Sequence, residues 1–146
     1  MAEFSPTTSE PYEALLHLAK AADINAASAL SPLTVELIKL RVSQINGCAY
    51  CLRLHTRDAL ALGESADRIA VLSAWRETSY FTDFEQAALR VAEGVARVGH
   101  PSMAHSAAED TSPLSREEVR AAKWVAIAID ALNRLSVTSG SVISPD

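Results

Sequence analysis

The most constraining feature of the sequence is a helix that should be buried on two sides. Ser31-Pro32 is a start signal, because serine caps free backbone amides and proline fits the first helical position. Asn46-Gly47 breaks the pattern, so we expect a helix from Pro32 to about Ile45. Its apolar residues form two sides, Leu33, Leu37 and Leu40 on one and Ile38, Val42 and Ile45 on the other. Such a helix should lie at the centre of the packing.

The rest of the chain also carries helical signals. The 146 residues are 49% apolar, which is enough for one domain with a real core, and only 5% are aromatic, which favours helices over a sheet. Capping boxes at Thr82 and Ser115 predict two further helix starts. The predicted helices cover about 11–22, with a break near Asn25, then 32–45, 48–63, 66–75, 82–98, a short one near 103–108, and a long one from 115 through Leu135 that ends before Gly140. We therefore predict an all-α fold in a single domain, 1–146, with flexible arms at 1–9 and 140–146.

Charge and hydropathy narrow the possible functions. The formal net charge is −5 and no Lys/Arg cluster interrupts it, which argues against nucleic-acid binding. No apolar run is long enough to cross a bilayer, and the first residues lack the pattern of a signal peptide. These features predict a cytoplasmic protein without a membrane partner. Structural disulfides are rare in that compartment, so two cysteines spaced CxxC indicate metal or redox chemistry.

The two cysteines and one histidine should share one stripe of a helix. At about 100° per residue, Cys51 lies about 60° from Cys48, and His55 falls between them. Ala59 and Leu62 continue the stripe, so we expect it to face inward. The spacing therefore predicts two thiols and an imidazole in one partly buried pocket.

This combination can support thiol chemistry. A thiol attacks as thiolate, and unpaired amides in the first helical turn favour negative charge. His55 can take the proton of Cys51, the nearer thiol, and a neighbouring cysteine can close a disulfide after oxidation. We therefore predict that Cys51 attacks and that Cys48, exposed at the helix start, resolves and meets the reductant. Glu36 borders an apolar face and reaches the pocket if its helix packs antiparallel to the next one.

Structural interpretations remain open for each of these residues. The two cysteines could be core residues, or with His55 and Glu36 they could form a zinc site. His55 alone could be a hydrogen-bonded core histidine. Glu36 could be an acid favoured by the helix dipole, or it could pair with Lys39.

The pattern of Glu36, eleven intervening residues, Cys48, Cys51 and His55 resembles the signature of the AhpD-like alkylhydroperoxidase branch of the carboxymuconolactone decarboxylase family. The surrounding segment LIKLRVSQINGCAYCLRLHTRDAL and the later segment IAIDALNRL also resemble sequences of that family. The resemblance implies an all-α, AhpD-like domain with a central antiparallel helix pair carrying the CxxC site. It also implies a homo-oligomer, a trimer or hexamer.

The resemblance implies residue roles as well. Cys51 matches the cysteine that attacks peroxide and passes through a sulfenic acid, and Cys48 matches its disulfide partner. His55 and Glu36 match a proton relay. The chain has Ala49-Tyr50 where the best-known AhpD proteins carry a histidine between the cysteines, so it resembles a short CxYC branch. Decarboxylase activity is not implied, because true carboxymuconolactone decarboxylases generally lack the CxxC.

Together, the residues and the resemblance predict a cofactor-free, thiol-dependent peroxidase. Its substrate would be a hydroperoxide, and an external dithiol would reduce it again. One alternative is a disulfide oxidoreductase or thiol redox sensor. Another, from a different class, is a metal-stabilised, non-catalytic oligomeric module.

Overall fold

A computed structural model describes residues 9–100 and 110–146, and this part of the chain is helical without any strand. The helices are α1 (Glu10–Ala26), α2 (Pro32–Asn46), α3 (Ala49–Ala61), α4 (Ala66–Val71), α5 (Asp83–Ala96) and α6 (Arg116–Thr138), with a 3₁₀ segment, Leu72–Glu77, after α4. The all-α prediction is therefore confirmed. The short helix predicted near 103–108 lies outside the described residues, as does most of the predicted arm at 1–9.

Helix α2 is the central element, as its two apolar sides predicted. It packs against α3, α5 and α6. Ile38 and Val42 belong to a core cluster shared with α5 and α6, whereas Leu37 and Leu40 belong to a second cluster around Trp75. These four α2 side chains are at most 1% exposed. Burial of such side chains contributes roughly 1.5–3 kcal/mol each, so α2 carries a large share of the folding free energy.

The predicted caps are confirmed at atomic level. Ser31 accepts a hydrogen bond from the Thr34 amide, and both halves of the capping boxes at Thr82 and Ser115 are formed. Gly47 ends α2 with φ of 65°, in the left-handed region that favours glycine. The chain then reverses within two residues into α3, and α2 and α3 form the antiparallel pair that the resemblance implied.

Two predicted boundaries are wrong. The break near Asn25 does not occur, and α1 continues to Ala26 because Ala22 and Ala26 are buried, so tertiary packing extends the helix. The helix predicted over 66–75 ends at Val71 and continues as the 3₁₀ segment, which kinks at Ala74. In that segment Trp75 is 2% exposed and fills the second core cluster.

A buried carboxylate, Glu93 of α5, ties three elements together. It accepts hydrogen bonds from Arg41 at 2.7 Å, Trp75 Nε1 at 3.0 Å and Arg76 at 2.6 Å. Burial raises the pKa of Glu93, but the bonds from Trp75, Arg41 and Arg76 outweigh it and hold that pKa below its ordinary value. Glu93 is therefore an ionised anchor between α2, α5 and the 3₁₀ segment.

The last residues lie along the outer side of α3. Arg53 Nη1 donates to the Ser144 carbonyl oxygen at 2.8 Å, and Arg57 pairs with Asp146. Over the described ranges, none of the helices combines the length and the apolar character that crossing a bilayer requires.

Candidate functional site

The reversal between α2 and α3 sets the positions of both cysteines. The Cys48 amide donates to the Ser43 carbonyl oxygen at 3.1 Å, which places Cys48 at the N-cap of α3. There its sulfur accepts a hydrogen bond from the Cys51 amide at 3.3 Å, the place usually taken by a serine or aspartate oxygen. The two sulfurs lie 2.6 Å apart, so the thiols share a hydrogen bond and need little movement to form a disulfide of about 2.05 Å.

The predicted stripe is confirmed over most of its length. Cys48, Cys51, His55 and Ala59 are all buried. Leu62 is 47% exposed, contrary to prediction, because α3 ends at Ala61 and Leu62 lies beyond its last turn.

The predicted exposure of Cys48 is also wrong. Cys48 is 1% exposed and Cys51 is 4% exposed, and both belong to the core cluster around α2. The reason is the cap itself. The Cys48 side chain turns back over the first turn of α3 and is covered by the core, so neither thiol lies at the surface of the chain.

The environment of Cys51 favours the protonated thiol. Burial and the hydrogen bond with Cys48 raise the pKa of Cys51 to about 12, while the Asn133 amide acts in the opposite direction. At neutral pH Cys51 is therefore overwhelmingly the protonated thiol. Any rapid attack by this sulfur requires a base to remove its proton.

Glu36 and His55 form the second half of the site. His55 Nδ1 and Glu36 Oε2 lie 2.8 Å apart across α2 and α3, and both side chains are buried. Burial raises the pKa of Glu36, but the bond with His55 and the charge of Lys39 hold it below its ordinary value. An ionised carboxylate at Nδ1 favours the tautomer with its proton on that nitrogen, and in the neutral ring this places the lone pair on Nε2, an arrangement that suits a base.

Glu36 also forms the ion pair with Lys39 that the structural interpretation of this residue predicted. Lys39 Nζ lies 3.4 Å from Glu36 Oε1 and 2.8 Å from Asp23. One carboxylate oxygen thus pairs with a lysine while the other orients the imidazole.

The two pairs are adjacent but not hydrogen-bonded. Within residues 9–100 and 110–146, no hydrogen bond joins His55 to either sulfur. The two sulfurs and a ring nitrogen of His55 are not all within 4.8 Å of one another. The Cys₂HisGlu donor set of the zinc alternative is therefore not assembled. In the described part of the chain, Glu36, His55 and the exposed Asp58 do place metal-donor atoms within 4.8 Å of one another. However, His55 Nδ1 is already hydrogen-bonded to Glu36.

Sequence reasoning missed a polar residue that α6 brings to the thiols. Asn133 is 0% exposed, and its Nδ2 donates to Ser43 Oγ at 3.0 Å. The available signal was an amide at core spacing, four residues after Ile129 and seven after Ala126, on a helix face that is otherwise apolar.

Comparisons with known proteins agree with this architecture. The profile of the Carboxymuconolactone decarboxylase family matches residues 9–94, a range that holds Glu36, Cys48, Cys51 and His55. A crystal structure of an Agrobacterium tumefaciens protein of unknown function, suggested to be the antioxidant defence protein AhpD, superposes with a TM-score of 0.80 at 29% identity. That match covers 94% of this chain and 92% of the other.

A curated relative matches over a shorter range. The uncharacterized protein YdfG of Bacillus subtilis (strain 168) is 47% identical over 68 residues, which is 47% of this chain. The match spans 46% of YdfG, a little under half of its length.

Proposed function

Because the chain belongs to the carboxymuconolactone decarboxylase family and has the AhpD-like fold, we propose that it is a thiol-dependent peroxidase. The observation that carries the proposal is the pair of sulfurs 2.6 Å apart beside an ionised Glu36 hydrogen-bonded to His55. A dithiol can give up two electrons and become a disulfide, and the acid–imidazole pair can accept the proton that the thiol loses before it attacks.

The proposed reaction has three steps. The Cys51 thiolate attacks the peroxide, so an S–O bond forms and the O–O bond breaks. The leaving oxygen takes up the proton that His55 removed from the Cys51 thiol and departs as an alcohol or water. The Cys48 thiol then attacks the Cys51 sulfenic acid, which forms the disulfide and releases water. An external dithiol finally reduces the disulfide by two electrons and is itself oxidised to a disulfide.

The proton of Cys51 needs a path in the first step. His55 Nε2 is the proposed acceptor, and Glu36 stabilises the imidazolium that forms. Since no hydrogen bond joins His55 to either sulfur in the described chain, the peroxide itself or one water molecule has to bridge sulfur and imidazole. A bridging peroxide would couple loss of the thiol proton to arrival of the substrate.

Burial of the thiols favours a peroxidase over a disulfide oxidoreductase. A protein disulfide has to bring its sulfur into line with the attacking sulfur, and the two cysteines are only 1% and 4% exposed. A hydroperoxide is small enough to enter. By the same reasoning, the external dithiol should be small or carried on a narrow arm.

The exposed apolar side chains support the expected homo-oligomer. Tyr50 on α3 and Trp124 and Ile127 on α6 are between 40% and 51% exposed. Aromatic residues left on a surface are typical anchors of subunit contacts. We propose a trimer or hexamer, to be checked by light scattering.

Peroxide consumption with dithiothreitol as the donor tests the proposed function. We expect turnover in the wild type and none in Cys51→Ser, and mass spectrometry after peroxide treatment should find Cys48 joined to Cys51. Normal turnover in Cys51→Ser would overturn the assignment. Faster reaction with protein disulfides than with peroxides would favour the oxidoreductase, and stoichiometric zinc by elemental analysis would favour the metal-stabilised module.

A further inference from the structure

Helix α6 places a fully buried carboxamide, Asn133, next to the thiol pair. A buried amide is costly unless its polar atoms are hydrogen-bonded, so its partners indicate what it is for. None of the three proposed reaction steps uses Asn133. The residue is therefore open to a role of its own.

The hydrogen bonds of Asn133 fix which way its amide points. Its Oδ1 accepts from Asn46 Nδ2 at 3.2 Å, and the same Asn46 nitrogen donates to Asp130 Oδ1 at 2.8 Å. Because an aspartate oxygen only accepts, the Asn46 nitrogen is a donor and Asn133 Oδ1 is an acceptor. Asn133 Nδ2 must then face the other way, toward Ser43 Oγ, with two hydrogens to donate.

Nδ2 points to Ser43 of α2, the residue whose backbone also holds the thiol turn. The carbonyl oxygen of Ser43 accepts the Cys48 amide at 3.1 Å, so the side chain and the backbone of one residue join Asn133 to the thiol turn. Cys51 also packs in the same core cluster as Ile129, one turn before Asn133 on α6. One Nδ2 hydrogen goes to Ser43, and the described residues give the second no other hydrogen-bond acceptor, so it is available to a thiol.

We infer that Asn133 is a hydrogen-bond donor to the Cys51 sulfur, held in that orientation by Asn46 and Asp130. In this role it stabilises the thiolate and the sulfenate that would form from it. The same amide lowers the pKa of Cys51, against the effect of burial. A neutral donor suits a buried site because it favours the anion without adding a second buried charge. The inference rests on the proposed function only in naming Cys51 as the reacting sulfur.

The test measures the thiolate directly and needs no peroxide. In a full-length Cys48→Ser background, Cys51 is the single thiol, and its alkylation by iodoacetamide can be followed by mass spectrometry from pH 7 to 9. Loss of a hydrogen bond to a charged group should shift the Cys51 pKa upward by about one to two units, which slows alkylation roughly ten- to hundredfold. The slope of rate against pH should stay the same.

Asn133→Asp is the sharpest variant because it has the same shape. The aspartate keeps the oxygen that accepts from Asn46, and the Ser43 hydroxyl can rotate to donate to its second oxygen. The variant therefore loses the donor to Cys51 and gains a negative charge. We expect at least a tenfold slower alkylation. Asn133→Ala should slow it in the same direction, and Lys123→Ala, an exposed position on the same helix, should leave it unchanged.

Unchanged alkylation in both Asn133 variants would overturn the inference, and faster alkylation would show that Asn133 only restricts access. Circular dichroism establishes that each variant is folded. If neither Asn133 variant folds, Asn46→Ala remains decisive, because it frees the Asn133 amide to rotate and should give a smaller slowing. A rate equal to that of the background would then refute the proposal. Peroxide turnover is scored separately, so either proposal can fail without the other.

Discussion

Replacement of Glu36 by glutamine tests the relay with little change of shape. The new amide would retain an oxygen for His55 Nδ1 at the position that Glu36 Oε2 now holds, 2.8 Å away, but the negative charge would be lost. Lys39 keeps its other partner, Asp23, at 2.8 Å. A buried hydrogen bond to a charged group contributes about 1.5–3 kcal/mol, against about 1 kcal/mol for a neutral one. Stabilisation of the imidazolium should therefore fall by about 0.5–2 kcal/mol.

That loss translates into a rate. If His55 takes the thiol proton in the slow step, peroxide consumption in Glu36→Gln should fall roughly two- to thirtyfold. The pKa of Glu36 lies below its ordinary value of 4.5, so its contribution is complete above pH 4.5 and is lost as the pH falls through the folded-state pKa. The assay belongs at neutral pH, where the wild-type carboxylate is ionised. Stopped-flow peroxide consumption by the reduced protein measures the step without the external dithiol.

Two comparisons decide whether Glu36 acts through His55. Glu64→Gln is the matched control, because Glu64 is also 8% exposed and ion-paired, here with Arg68, and it should leave the rate unchanged. The double variant Glu36→Gln/His55→Ala should be no slower than His55→Ala alone, because the acid has nothing left to orient. Fully additive losses, or a wild-type rate in Glu36→Gln, would refute the relay.

Three further predictions concern the thiols and the core. Alkylation of Cys51 in the wild type should rise about tenfold per pH unit from pH 7 to 9, since its pKa is about 12, and a plateau in that range would contradict the protonated resting state. In Cys48→Ser, peroxide should add one oxygen to Cys51, seen by mass spectrometry before and after dithiothreitol; oxidation that leaves Cys51 unmodified would exclude it as the attacking thiol. Glu93→Ala removes the ion-pair partner of the buried Arg41 and should lower the free energy of unfolding by about 3–5 kcal/mol, measured by urea titration. A loss below about 1 kcal/mol would show that the ion pair is dispensable.

The sequence alone determined the helix caps and the helical stripes, which depend on neighbours along one helix. Ser31, Thr82 and Ser115 could be identified as caps because a cap acts on amides two or three residues away. The common stripe of Cys48, Cys51 and His55 could be predicted because one α-helix turns by a fixed angle per residue. The two buried sides of α2 followed from the same geometry, and with them the all-α fold.

The tertiary structure decided what lies opposite each stripe. A helical wheel gives the direction of a side chain but not what covers it, so the burial of Cys48 was missed and α1 was predicted too short. Glu36 meets His55 only because α2 and α3 pack antiparallel. Asn133 reaches Ser43 across 90 residues of sequence, a contact that only the packing of α6 on α2 creates. The thiols and the imidazole therefore share a stripe by local geometry, whereas the groups that set their protonation come from other helices.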